Sequence, residues 1–337
     1  MKKLALFFTT ILVTALFLSG CSSKETATKS NESKETKDQL IIYTTIFPLE
    51  DFTKKIGGDY VKVESVYPPN IDAHTFEPTQ KTMVDIAKAD AFIYTGAGLE
   101  GFVDKATKAL KDEKVKFVEA ADGVTFIEGG HDHDHEGEES HEKSHEDEQA
   151  DEGHEEGEEH HDHGDLDPHV WLDPIRAMTM AENIKDTLIK FKPEQKATFE
   201  KNFETLKKEL EQLDKELGNT IKEGKTKEIV VAHSAYGYWH DRYGLEQISI
   251  AGLSPENEPS QKELQSIIKE SRQKNVKYVI FEQNVKPNIA EIVKNELNAE
   301  PLTLHNLESI TDQDVKNEED YVSLMKRNID TLKKALN

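Results

Sequence analysis

The sequence predicts an α/β architecture of two lobes, each built mainly on parallel sheet, joined by one long rigid helix. Two observations carry this. Short apolar runs alternate with amphipathic helical segments on both sides of a polar stretch, the pattern of successive βα units. Between the two series, Phe199, Phe203, Leu206, Leu210, Leu213, Leu217 and Ile221 recur at steps of three and four, so all seven fall on one stripe of a single helix over 194–223. At about 1.5 Å per residue that helix is roughly 45 Å long, more than one lobe needs. A coiled coil would use the same stripe, but so few heptads flanked by α/β sequence favour a helix connecting two lobes.

In chain order, Lys2 and Lys3 precede an apolar run over 4–18 that is too short for an ordinary membrane span and suits the core of an export signal. It ends in Leu18-Ser19-Gly20-Cys21, which resembles the lipobox of bacterial lipoproteins. That resemblance implies a signal peptide over 1–20 and a lipid carried on Cys21, tethering the chain to the outer face of the cell membrane. Cys21 is also the single cysteine, so no intrachain disulfide can form. Residues 21–39 are polar and charged and read as a flexible tether.

The N-terminal lobe is expected over 40–193. Strands are predicted at 40–45, 60–66, 91–94 and 115–118, with helices at 48–56, 79–88 and 101–110, and a further helix at 174–191 that breaks at Pro193. The C-terminal lobe, 224–337, repeats the pattern. Strands are predicted at 229–232, 246–251, 278–281 and 302–304, and helices at 235–243, 259–274, 289–297 and 321–336. A cleft between two such lobes is a common place for a ligand.

The net charge of −24 is concentrated. Residues 129–165 hold seventeen Asp and Glu against one Lys, a local −16, which leaves −8 for the rest. No basic stripe exists to meet phosphates, which excludes a nucleic-acid partner and points toward cations. The same segment carries nine of the fourteen His: His131, His133, His135, His141, His145, His154, His160, His161 and His163. Imidazole and carboxylate ligate borderline divalent metals, and imidazole favours zinc, copper and nickel over calcium or magnesium. With Ala150 as its single apolar residue the segment has no fixed geometry, so these are auxiliary, weak metal ligands on a disordered loop.

Of the other five His, three sit at element boundaries following polar or buried segments. His74 lies in Asn70-Ile-Asp-Ala-His-Thr-Phe-Glu-Pro78, His169 in Asp167-Pro-His-Val-Trp-Leu-Asp-Pro174, and His233 directly after a buried strand. Loops at the C-terminal ends of strands converge on the crevice of α/β sheets. His240 and His305 lack such context and read as surface or packing residues.

The stretch His74-Thr-Phe-Glu-Pro-Thr79, continuing through Ala89-Asp-Ala and Gly96-Ala-Gly-Leu-Glu-Gly-Phe102, resembles the first metal motif of the cluster A-I solute-binding proteins. Asp167-Pro-His-Val-Trp-Leu-Asp-Pro174 resembles their second, and His233-Ser-Ala-Tyr236 their third. The resemblance runs from about Leu40 to the C-terminus, the His-rich segment excepted. It implies two lobes bridged by a long helix, with a metal held in the interlobe cleft by His74 and His169 from the first lobe and His233 from the second. A fourth ligand from the second lobe is Glu308, with Glu282 or a water as alternatives. It also implies a membrane permease and its cytoplasmic ATPase as partners, and an additional C-terminal metal-binding domain in some members, which a chain ending at Asn337 is expected to lack.

An N₃O donor set suits Zn²⁺. Manganese prefers more oxygen, and the family's manganese binders carry a carboxylate where His233 stands. The expectation is therefore a monomeric, lipid-anchored zinc-binding protein of an ABC importer, with a manganese- or iron-binding member of the family or a surface adhesin as alternatives. A zinc hydrolase would also use three His, but no HExxH spacing or general base accompanies these motifs, so no enzyme is expected.

Overall fold

Along the first strand Leu40, Ile42 and Thr44 are buried while Ile41 is exposed, the alternation that the sequence carries in Leu-Ile-Ile-Tyr-Thr. The computed structural model describes residues 39–129, 166–283 and 287–337. The signal peptide, Cys21, all but the last residue of the tether and the nine His of 131–163 lie outside the described residues.

Two four-stranded parallel sheets organise the chain. The first comprises β1 (Leu40–Thr44), β2 (Val61–Ser65), β3 (Ala91–Tyr94) and β4 (Lys116–Glu119), in the order β2-β1-β3-β4. The second comprises β5 (Glu228–Val231), β6 (Glu246–Ser249), β7 (Tyr278–Glu282) and β8 (Glu300–Leu304), in the matching order β6-β5-β7-β8. Of the four inner strands, β3, β5 and β7 are near-continuous runs of buried residues, as strands covered on both faces are, while β1 keeps Ile41 exposed. In each sheet the connections diverge between the first and third strands, which opens a crevice beyond their carboxyl ends.

Helices α1 (Phe47–Gly57), α2 (Gln80–Ala87) and α3 (Val103–Ala109) accompany the first sheet. Then α4 (Pro174–Phe191) leads through a 3₁₀ turn at Pro193–Gln195 into α5 (Lys196–Glu223). Pro174 sits in the first turn of α4, and Asp173 caps it by accepting from the Ile175 N–H. All seven apolar residues of the predicted stripe on α5 are buried. They pack against α1, α4 and α10 (Tyr321–Ala335), so the 28-residue helix, about 42 Å long, serves both lobes. The second sheet is dressed by α6 (Gly237–Tyr243), α7 (Gln261–Gln273), α8 (Asn288–Leu297) and α9 (Asp312–Lys316).

Several element bounds differ from the sequence expectation: the linking helix starts at Lys196 rather than 194, after the 3₁₀ turn at Pro193–Gln195, and α3, α6 and β6 are shorter than predicted while β8 starts two residues earlier. Helix α7 starts after Ser260 rather than at Pro259, because Ser260 and Glu263 form a capping box. The short α9 was not anticipated; it is nucleated by a second capping box, Thr311 with Asp314. An isolated antiparallel bridge pairs Glu128 with Leu166, closing the chain on either side of 130–165. The Asp167 N–H donates to the Ile127 carbonyl, and Tyr238 of α6 ties the same pair together, donating to the Asp167 carbonyl and accepting from the Ile127 N–H.

Candidate metal centre

His74 lies in the loop after β2, where its N–H donates to Asp72 Oδ1 at 2.9 Å, an Asx turn that aims the ring inward. His169 repeats the device: its N–H donates to Asp167 Oδ1 at 2.9 Å, and the same oxygen lies 2.8 Å from its Nδ1. His233 follows β5 by two residues and presents Nδ1 to Glu282 Oε1 at the end of the adjacent strand β7. Glu308 sits on the strap after β8. Its Oε2 accepts from the Ala73 N–H at 3.4 Å, while its buried Oε1 faces the imidazoles.

The inward atoms converge. His169 Nε2 is 3.3 Å from His74 Nε2 and 3.4 Å from His233 Nε2. Glu308 Oε1 is 3.4 Å from His74 Nε2, 3.5 Å from His169 Nε2 and 3.9 Å from His233 Nε2. All four donors lie within 4.8 Å of one another. A tetrahedral ion with bonds of about 2.0–2.1 Å has donor–donor edges of about 3.3–3.4 Å, so the cluster is close to a finished tetrahedral cage.

The second nitrogens explain why a cation fits. Asp167 accepts from His169 Nδ1 and the Glu282 carboxylate pairs with His233 Nδ1, an arrangement in which each Nε2 lone pair points at the centre. Converging lone pairs and a carboxylate repel unless a metal ion or protons sit among them. With protons there, burial acts to lower His169, but the Asp167 and Glu308 carboxylates overcome it and raise the pKa to about 10. Burial likewise acts to raise Glu308, and the charge of His74, hydrogen bonds from His169 and His74 and the charge of His233 hold it well below the usual carboxylate range.

Of the residues singled out from sequence, His74, His169, His233 and Glu308 come together, and Glu282 stands behind His233 on the opposite nitrogen. The glycine-rich segment 96–101 serves another purpose. Its buried Glu100 accepts from the Thr45 hydroxyl and the Thr95 and Gly96 N–H groups, closing the turn after β3. His240 is exposed near Glu246, and His305 is buried against Asp314. Asp167 was missed as a partner of His169. The available cue was the Asp-Xaa-His spacing, which occurs at both 72–74 and 167–169.

Two matching parallel sheets meeting over a buried three-imidazole, one-carboxylate cage define a two-lobed solute-binding protein with a metal-ligating cleft. The chain belongs to the family described as "Zinc-uptake complex component A periplasmic", whose model matches residues 42–335. It is 34% identical over 339 residues to the zinc-binding lipoprotein AdcA of Streptococcus pneumoniae strain R6, covering 99% of this chain and 61% of that protein. This chain thus spans about three fifths of that relative's length. It is 33% identical over 325 residues to the high-affinity zinc uptake system protein ZnuA of Bacillus subtilis strain 168, covering 96% of each. The crystal structure of the Zn(II)-bound ZnuA-like domain of S. pneumoniae AdcA superposes with a TM-score of 0.70 at 32% identity, over 88% of this chain and 99% of that one.

Proposed function

We propose that this chain captures Zn²⁺ outside the cytoplasm and delivers it to the permease of an ABC importer driven by its ATPase. The carrying observation is the convergence of three Nε2 atoms and Glu308 Oε1 within 4.8 Å of one another, five of the six spacings lying between 3.3 and 3.9 Å. Zinc is the cargo, held by His74, His169, His233 and Glu308. The N₃O set and four-coordinate spacing disfavour manganese, which lies lowest in affinity among the first-row divalent ions and prefers oxygen-rich octahedral sites. The carboxylate closes the position that a catalytic zinc keeps open for water, so transport rather than catalysis is the function.

His74 is the door. Its side chain is 11% exposed, against 0%, 1% and 3% for His169, His233 and Glu308, so the ion enters and leaves past it. Release to the permease then requires movement of the loop between β2 and α2 rather than rotation about α5. The working division is an N-terminal lobe over 40–193, a linking helix over 194–223 and a C-terminal lobe over 224–337, acting as a monomer anchored through a lipid on Cys21. The His of 131–163 act as weaker, auxiliary zinc ligands.

The test is competitive metal titration of the chain from residue 22, with and without residues 129–165, against a chelator strong enough to strip weak sites. One tight zinc per chain, unmoved by excess manganese and lost in His233→Ala, supports the reading. Manganese competing at comparable concentration overturns the zinc assignment, and no tight site at all overturns the ligand set.

A further inference from the structure

The strap that carries Glu308 has an unfavourable backbone. Leu307 is fully buried with φ +62°, in the left-handed region that L residues with a Cβ avoid. Such a conformation persists where surrounding contacts over-determine it. His305 Nδ1 accepts the Leu307 N–H at 2.9 Å, and Asn306 Oδ1 accepts the Glu308 N–H at 3.2 Å. The other end of the Asn306 amide donates to Glu282 Oε2 at 3.0 Å, the carboxylate whose Oε1 faces His233. The Asn306 carbonyl accepts from Trp171 Nε1 at 2.7 Å, two residues beyond His169. The buried side-chain amide therefore touches the supports of two of the four donors, and the backbone carbonyl of the same residue reaches the indole beside a third, while neither touches a donor atom.

We propose that Asn306 is a positioning residue that presets the four-donor cage before the ion arrives, and so sets the coordination number of the site. This rests on the zinc reading above. Through Glu282 it holds the His233 ring, and through the Glu308 N–H it holds the carboxylate on the strained strap. A cage that cannot spread to admit more oxygen ligands binds a tetrahedral ion and rejects one that needs six.

The full chain carrying Asn306→Asp, which is isosteric but turns the donor facing Glu282 into an acceptor, is compared with Asn306→Ala and wild type. Zinc affinity, read by chelator competition, should fall roughly 10–100-fold. Manganese binding should change less, so the zinc-to-manganese ratio falls. The visible bands of the cobalt-substituted protein should move from the intense four-coordinate pattern toward the weak bands of higher coordination, a change that general destabilisation would not produce. In a Glu308→Ala background the loss should shrink, because the two residues act as a unit. Affinity within about threefold of wild type with unchanged cobalt bands, or an undiminished loss in the Glu308→Ala background, overturns the proposal. Should both variants fail to fold, amide exchange of the zinc-free wild type decides. Protected Leu307 and Glu308 amides support a preset strap, and exchange at open-loop rates overturns it. A wild-type chain without a tight zinc site would overturn the functional reading instead, and that outcome needs no variant.

Discussion

His233 presents its two ring nitrogens to two different acids, Nδ1 to Glu282 and Nε2 toward Glu308, so one imidazole links a strand-end carboxylate to the candidate fourth donor. His169 is built alike, between Asp167 on Nδ1 and Glu308 on Nε2. Each carboxylate behind a ring fixes its tautomer and raises the basicity of the donating nitrogen.

Glu282→Gln should therefore lower zinc affinity by roughly 10–100-fold while leaving a folded chain. The amide can offer a donor where His233 needs an acceptor, freeing the ring to turn. Chelator competition alongside circular dichroism measures both; unchanged affinity would remove Glu282 from the site.

Metal binding should release a proton from His169. Its pKa is raised from 6.5 to about 10 because the neighbouring carboxylates outweigh burial, so at pH 7 to 9 zinc displaces a proton from a charged ring. Affinity should rise with pH across that range, by up to about tenfold per unit from this group. The sign for the metal-free fold is opposite. Protonated His169 stabilises it fully below about pH 6.5, and that contribution disappears as pH rises through about 10. Calorimetry in buffers of different ionisation enthalpy counts the protons, and a count of zero at pH 8 contradicts the assignment.

Zinc should raise the melting temperature, and a chelator should reverse the rise. Free zinc at about a thousand times Kd contributes about 4 kcal/mol. For a fold of this size that is roughly 10 °C. His169→Ala should lose this gain and also destabilise the metal-free chain, since the fully buried ring packs at 5.3 Å from Trp171. Melting curves with and without zinc separate the two effects.

Zinc should change local order far more than overall shape. Helix α5 packs against α1, α4 and α10 and runs unbroken from Lys196 to Glu223, so it offers no break about which the lobes could swing. Backbone bonds from Phe47 N–H to the Glu308 carbonyl and from Asn70 N–H to the Ile310 carbonyl further stitch the two halves across the cleft. Hydrogen exchange should slow mainly over 66–79, the loop carrying His74, while scattering profiles stay superimposable. Marked compaction on zinc would rule this out.

The fold was legible because its signals are local and repeated. The stripe from Phe199 to Ile221 marks α5, and buried runs such as Ala91-Phe-Ile-Tyr94 mark inner strands. The three histidines could be singled out because each sits at an element boundary inside a motif. The arrangement behind them was not visible. That Glu308 turns inward depends on a left-handed Leu307, and that His305 and Asn306 brace it depends on side-chain bonds formed only when β7, β8 and α10 pack together. Asp167 was closer to view, since Asp-Xaa-His is a short-range pattern.

The bridge between Glu128 and Leu166 joins the described residues on either side of the acidic, His-rich stretch. Those two flanks are clamped to each other and to Tyr238 only three residues before His169, so the register of that donor is set by the clamp. A change of length or composition confined to 130–165 should accordingly leave the cage unaltered, because the chain re-enters it through the same clamp.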